Sequence, residues 1–277
     1  MRDASFLKQY GPWALVAGAS KGLGAEYAQQ LAVKGFNLVL VARQAELLDT
    51  LSTGLETRYA IEVRPIIIDL AQPEAAGRII EQTSDLEIGL LIYNAAIAPV
   101  APFFSQSLEQ HLQMVETNMR TPLSLVYSLG QGMRARHKGG IILMSSLSAL
   151  QGSAFISHYA ATKAYNLTLA EGLWDELRQD GIAVIASLPA SIATPNFLAD
   201  LPQGKRSPTP TLTPRQVATE TLAALGKQSS VVPGWGNRLS AWFMRHILPR
   251  QWAVRLMSRV LRGMYAQCMH NLDKIYF

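Results

Sequence analysis

Three polar side chains with the spacing of a proton-transfer device lie between residues 146 and 163. Tyr159 and Lys163 stand at i and i+4 in SHYAATKAYN, so on a helix both emerge from one face and the ammonium lies near the phenol. A free phenol has a pKa near ~10, and a neighbouring cation favours the phenolate, moving the group toward the pH where proton exchange is useful. Ser146 closes the apolar run GGIILMSS, thirteen residues ahead of the tyrosine, and offers a hydroxyl donor to an oxygen on which negative charge develops. The chain has 9 tyrosines, and a Tyr-x-x-x-Lys arises readily by accident among them, so the motif takes its meaning from its surroundings. His158, next to the tyrosine, points about 100° round the helix and receives no role.

These groups need a frame. Residues 13–18, WALVAG, form a short apolar run of strand character, followed by a glycine cluster and the amphipathic AEYAQQLAVKG, which reads as strand, tight turn and helix. Within that turn, Gly18, Ser20, Lys21, Gly22, Leu23 and Gly24 would let the backbone approach a pyrophosphate and meet its charge with the amides of the helix start. An ordinary glycine turn is the bland alternative. The second strand, NLVLVAR, ends at Arg43, where a dinucleotide fold places the adenosine ribose. No carboxylate stands there to bind a free 2′-hydroxyl, whereas Arg43 with Lys21 suits a 2′-phosphate, so NADP(H) is expected over NAD(H). Both cations could equally be solvated surface charges.

The third strand, VRPIIIDL, ends in Asp69 and Leu70. Asp69 can reach an adenine amino group or mark a helix entry together with Pro73 and Glu74, and both roles stay open. A fourth strand, IGLLIYNAA, delivers Asn94, Ala95 and Ala96, whose small size allows cofactor and backbone to lie close. A long helical region over 105–137 contains Asn118, which in isolation is a mild helix misfit. The fifth strand delivers Ser146, the helix of Tyr159 and Lys163 runs to about 179, and the sixth strand, IAVIASLP, ends at Pro189. Alternation at this rhythm implies an α/β fold: a Rossmann-type doubly wound parallel sheet of about seven strands, with helices on both faces, ligands at the strands' carboxyl ends and a C-terminal helical extension.

The totals agree with one large domain. Of 277 residues, 49% are hydrophobic and 16% charged, enough for a substantial core without disulfides or metal. The single cysteine, Cys268, excludes an internal disulfide and a multi-cysteine zinc site, and a reducing compartment fits best. MRDASFLKQYGPW lacks the apolar core of a cleaved signal, so a cytoplasmic location, peripheral to a membrane if anchored at all, is expected. Charge is uneven: 17 Lys and Arg face 19 Asp and Glu up to residue 220, against eight and one beyond it.

With the pieces in place, residues 11–235 resemble the short-chain dehydrogenase/reductase family. Its Thr-Gly-x-x-x-Gly-x-Gly appears as AGASKGLG, its Asn-Asn-Ala-Gly as YNAA, and its Ser and Tyr-x-x-x-Lys as Ser146, Tyr159 and Lys163. Asn118 falls at the family's helix asparagine, and LPASIAT matches Pro-Gly-x-x-x-Thr, with Pro189 leading and Thr194 at the nicotinamide carboxamide position. Departures are Ala17 for threonine, Tyr93 and Ala96 for the outer residues of Asn-Asn-Ala-Gly, and Ala190 for glycine. Ala96 and Ala190 require backbone that avoids glycine-only conformations, which bears on cofactor affinity. The opening stretch looks closest to the branch of 3-ketoacyl-CoA reductases and 17β-hydroxysteroid dehydrogenases.

The resemblance implies that Tyr159 gives a proton to a substrate carbonyl as NADPH delivers hydride. Ser146 would hold the oxygen, Lys163 would lower the tyrosine pKa and bind the ribose, and Asn118 would anchor a water relay. Family members commonly pair through two long helices, here 105–137 and 157–179, so a homodimer or higher homo-oligomer is expected.

Residues 195–213 would form a mobile lid, within a wider 190–213 segment of a catalytic domain 1–235, with Phe197, Leu198 and Leu201 as its apolar underside. Together with Phe103, Phe104, Leu147 and Leu150 they favour a hydrophobic ketoacyl or steroid-like substrate, though all of these could be plain core. Lys205 and Arg206 suit an acidic substrate group or a solvated lid tip. Residues 236–277 form a basic amphipathic extension in which Arg255, Arg259 and Arg262 share a narrow wedge and Trp252, Leu256, Val260, Leu261 and Met264 the remaining arc. It would pack on its own domain, form an oligomer contact or lie on anionic lipid. A non-catalytic NADP(H)-binding sensor or interaction protein is the competing functional class, and a nucleic-acid role is disfavoured because the tail's cations are laced with apolar residues.

Overall fold

The computed structural model describes residues 4–200 and 211–276. Helix α1 (Ala4–Tyr10) precedes seven parallel strands: β1 (Trp13–Ala17), β2 (Asn37–Ala42), β3 (Val63–Ile67), β4 (Ile88–Tyr93), β5 (Gly139–Met144), β6 (Ile182–Ser187) and β7 (Ser230–Val231). They lie in the order β3-β2-β1-β4-β5-β6-β7. The order reverses between β1 and β4, which opens a crevice at the carboxyl ends of those two strands. Pro65, lacking an N–H, is tolerated because β3 is an edge strand.

The crossovers are α2 (Gly22–Lys34), α3 (Ala45–Tyr59), α4 (Ala75–Gln82), the pair α5 (Leu108–Val115) and α6 (Thr121–Ala135), α7 (Ser157–Glu176), and α8 (Pro195–Asp200) with α9 (Pro214–Ala224). Every residue of β1, β4 and β5 is buried, the apolar run expected of a strand covered on both faces. Alternate side chains divide between two cores. Val16, Leu40 and Ile92 meet Tyr27 and Leu31 of α2 and Val217 of α9, while Leu15, Val39 and Leu91 meet Ile79 of α4, Leu125 of α6 and Leu167 of α7. Each such side chain contributes about 1.5–3 kcal/mol.

The helix expected over 105–137 is interrupted. Between α5 and α6, residues Glu116–Arg120 form a π-turn. Pro122 supplies the physical reason: it has no N–H to donate to the carbonyl four residues back, that of Asn118, so the regular ladder fails there. Beyond β7, α10 (Trp235–His246) and α11 (Arg250–Tyr276) complete the chain. The inner face of α11 packs on the fold through Ala253, Ser258 and Met264, and Ser258 Oγ accepts from the Ala154 amide at 2.9 Å. Trp252 and Leu256, on the apolar arc opposite the arginine wedge, are exposed. Val260 and Leu261 of that arc are half-buried. The tip of the expected lid, residues 201–210 with Leu201, Lys205 and Arg206, lies outside the described residues.

Candidate active site

A cleft of about 800 Å³ opens where the strand order reverses. Its floor is the turn between β1 and α2. Gly18 adopts φ +82°, and a Cβ there would stand 2.8 Å from the Ala95 amide nitrogen. At Gly24 a Cβ would meet the Gly18 carbonyl oxygen at 2.0 Å, so only glycine lets helix and strand approach this closely. Asn94 locks the turn by donating from Nδ2 to that same carbonyl at 3.0 Å. Lys21 sits at the N-cap of α2 without a side-chain capping bond, which leaves the first amides of the helix unclaimed beside the cleft. These features fit an anionic pyrophosphate.

Ser20, Lys21, Gly22, Leu23, Arg43, Asp69, Leu70, Asn94, Ala95, Ala96 and Thr194, with Gly18, all line this one cleft. Gly24 lies beneath it. Arg43, 68% exposed, pairs with Asp69 at 3.5 Å. The other Asp69 oxygen accepts from the Ala71 amide at 3.0 Å. It therefore shapes the turn ahead of α4, whose N-cap is Glu74. Ala96 and Ala190 are absent from the residues with positive φ, as the sequence requires of them. Pro189 is buried behind the cleft, and its carbonyl accepts from the Leu147 amide at 3.1 Å, tying β6 to the segment after β5. The Thr194 hydroxyl accepts from the Phe197 amide at 3.3 Å and so begins α8.

Ser146, Tyr159 and Lys163 do not line this cleft, and Tyr159 instead lines a small separate pocket with Phe103, His111 and Phe155. Tyr159 is in the first turn of α7, and the Ser146 side chain is near enough to favour its phenolate. Ser146 Oγ also accepts from the Ser148 amide at 3.2 Å, which fixes its rotamer. Lys163, 2% exposed, stands 5.7 Å from the tyrosine ring centroid and donates from Nζ to the Met144 carbonyl at 2.8 Å. Electrostatically the trio differs from the expectation. Burial pushes the Tyr159 phenol up, and the Ser146 side chain opposes that shift without reversing it. Burial brings Lys163 itself down from 10.5 to about 8. Desolvation disfavours both charged forms because the pair sits over the core rather than in water.

The π-turn gives Asn118 its place. Its side chain accepts from the Ile97 amide and donates to the Ile97 carbonyl, both at 2.9 Å, and also donates to Thr162 Oγ1 at 3.1 Å. Ile97 lines the nucleotide cleft and Thr162 neighbours Lys163, so one asparagine ties the cleft wall to α7. The carbonyl released by Pro122 accepts from Asn166 Nδ2 at 3.1 Å, and a carbonyl has a second lone pair.

Some residues escaped the sequence reading. Tyr93, noted there only as a departure, donates its buried hydroxyl to the Thr117 carbonyl at 2.6 Å and so joins β4 to the π-turn. Asn166, Thr162 and Pro122 gave a weak signal, the last through its i+4 spacing from Asn118. His158 is not idle: its Nδ1 lies 2.9 Å from His111 Nδ1, and His111 Nε2 lies 3.0 Å from the Phe103 carbonyl. A carbonyl only accepts, so His111 donates from Nε2 and, in the neutral pair, receives from His158. Burial and the facing imidazole lower the His158 pKa. No local pattern in sequence connects residues 47 positions apart.

A sequence profile described as short chain dehydrogenase matches residues 12–203. The chain is 30% identical to a 7β-hydroxysteroid dehydrogenase of Clostridium sardiniense over 84% of its own length and 90% of the relative's. It is also 30% identical to very-long-chain 3-oxoacyl-CoA reductase-A of Danio rerio, covering 92% and 81%. A solved 7β-hydroxysteroid dehydrogenase superposes with a TM-score of 0.87 at 27% identity, over 91% of this chain and 98% of that one. A short-chain dehydrogenase from Sphingobium yanoikuyae in complex with NADPH follows at 0.72 and 30% identity, over 80% and 87%.

Proposed function

Because this chain is a member of the short-chain dehydrogenase/reductase family, we propose that it is an NADP(H)-dependent oxidoreductase that interconverts a carbonyl and a secondary alcohol on a hydrophobic substrate. The observation that carries the reading is that the fold gathers Tyr159, Ser146 and the buried Lys163, with Ser146 near enough to favour the phenolate and the ammonium 5.7 Å from the tyrosine ring, in a chain whose strand ends also form the glycine-floored cleft.

The nicotinamide group, when bound, supplies or accepts the hydride. The chain's own residues manage the proton and the charge. Tyr159 Oη donates a proton to the carbonyl oxygen during reduction and takes it back during oxidation, while Ser146 Oγ donates a hydrogen bond to the same oxygen. A phenol held above its ordinary pKa by burial stays protonated and ready to donate. Lys163, at about 8, exchanges protons near neutrality and can restore the phenol. One of its three donors serves Met144, leaving others for a ribose hydroxyl. The Asn118 carbonyl, with a lone pair to spare, holds a water on that route. Gly18, Ser20, Gly22, Leu23 and Gly24 cradle the pyrophosphate, and Asn94, Ala95, Ala96, Pro189 and Thr194 flank the nicotinamide half. Leu70 and Asp69 would border the adenine, and Arg43 with Lys21 would hold the 2′-phosphate.

Phe103, 49% exposed, and Phe104, 95% exposed, stand on the loop after β4 and give the substrate side an apolar rim. The names of the relatives make a steroid-like ketone or a ketoacyl thioester the leading substrate classes. Leu112, Leu123 and Tyr127 are exposed on α5 and α6, and they support homodimerisation through these helices and α7.

The test is NADPH oxidation followed by absorbance across steroid ketones, ketoacyl thioesters and simple ketones, with Tyr159→Phe beside the wild type. Turnover on at least one apolar ketone is expected, falling at least about 10³-fold in the variant while NADPH fluorescence on binding persists. A purified variant with near-wild-type turnover would overturn the assignment. NADPH binding without oxidation of any ketone would favour the sensor reading.

A further inference from the structure

We propose that the C-terminal helices α10 and α11 form an in-plane docking surface for an anionic lipid bilayer. Helix α10 is amphipathic the wrong way round for a helix that only packs on its own fold. Its buried positions are Asn237 and Ala241, while Trp235, Leu239, Trp242 and Phe243 are exposed. At 100° per residue those four fall within an arc of about 100°, directed away from the buried pair. Exposed Ile247 continues the stripe, and Trp252 with Leu256 continues it on α11. Three of the chain's five tryptophans thus face outward on one pair of helices, at 76%, 53% and 62% exposure for Trp235, Trp242 and Trp252. Exposed apolar surface of this extent on one face is a contact site.

Charge selects the occupant. Arg245, Arg250, Arg255 and Arg259 are exposed around the stripe, and among the described residues none is paired with a carboxylate. From 221 to 272 the sequence holds no acidic residue at all. A second copy of the chain meeting this face about a two-fold axis would set one arginine-rich surface against another. An anionic headgroup layer instead complements the arginines while the tryptophan rings enter the interface. Among the described residues no helix is long and apolar enough to cross a membrane, so the helices would lie in the surface. The opposite, inner side of α11 borders the segment leading into α7, where Ser258 holds Ala154 and Arg262 stands 6.0 Å from the Phe155 ring centroid.

The experiment is flotation of the full chain with phosphatidylcholine vesicles, with and without phosphatidylglycerol, at low and high salt. The expected result is flotation with the anionic vesicles only, reversed by salt, with a blue shift of tryptophan emission. Arg245, Arg250, Arg255 and Arg259 changed together to Gln should weaken partitioning by about fivefold per cation, and Trp242→Ser with Trp252→Ser should abolish the blue shift. Melting temperatures near wild type would show that the variants keep the fold. Absence of flotation at low salt would overturn the proposal. So would equal flotation on zwitterionic vesicles, or a concentration-dependent dimer that the tryptophan substitutions dissolve. Flotation is read without turnover, so it stands or falls apart from the oxidoreductase reading.

Discussion

Lys163 offers a test of the electrostatics that needs no substrate. Burial lowers its pKa from 10.5 in the open chain to about 8 in the fold. A base whose folded pKa is depressed contributes full stability only above its unfolded value, and that contribution is lost as pH falls through the folded value. At pH 7 the folded protein therefore carries a protonated lysine that the core disfavours by about 3 kcal/mol, at about 1.36 kcal/mol per pH unit of displacement. By pH 9.5 the folded lysine is neutral and the unfolded one still charged, and the remaining cost is about 1 kcal/mol. Lys163→Met removes the titration and also the hydrogen bond to Met144. The lost bond shifts the variant's stability by a nearly constant amount, whereas the titration changes with pH. Urea unfolding of both proteins at pH 7 and pH 9.5, without cofactor, should show wild type gaining about 2 kcal/mol relative to the variant over that range. A difference that does not move with pH would refute the claim that Lys163 is held as a desolvated cation. A difference that shrinks with opposite sign would mean the ammonium is stabilised in the fold.

Two further perturbations probe the cleft. Arg43→Ala should weaken NADPH binding about 10- to 100-fold, the loss of a charge-assisted contact, and leave NADH nearly unchanged. Equal losses for both nucleotides, measured by fluorescence titration, would remove the arginine from the 2′-phosphate. Gly24→Ala would drive a Cβ to 2.0 Å from the Gly18 carbonyl, so the turn must open and NADPH binding fall sharply. Gly54→Ala in α3 meets nothing within 4 Å. That second change should be neutral or add about 0.5–1 kcal/mol, because alanine suits a helix interior better than glycine. Similar outcomes for the two, by thermal melting and nucleotide titration, would contradict the packing of the turn described above.

Much of this site was legible along the chain because its signals are local. Strand, glycine turn and helix follow one another within about twenty residues. Tyr159 and Lys163 are joined by helix geometry alone, and Ser146, Asn94 and Pro189 each sit within two residues of a strand's end, where such a sheet presents its ligands. Arg43 was readable by position for the same reason, since a parallel strand delivers the residue after it to the crevice. The unbroken helix expected over 105–137 was wrong at Asn118, and Pro122 was the visible cause.

Tertiary structure decided everything that depends on distance in sequence. Whether Tyr159 becomes more acidic cannot follow from its spacing to Lys163, because burial under strands and helices from across the chain raises the phenol and lowers the lysine in this fold. Asn118 acquires its meaning only when Ile97 and Thr162 arrive on either side of it. The tail shows the same division: its composition announced a basic, aromatic extension, and its apolar arc, with Trp252, Leu256 and Met264 together, left open whether it meets the fold, a second copy or lipid. The fold buries Ala253, Ser258 and Met264 and leaves the tryptophan outside. Periodicity records that a helix has two faces, and only the packed neighbours determine which of them meets the protein.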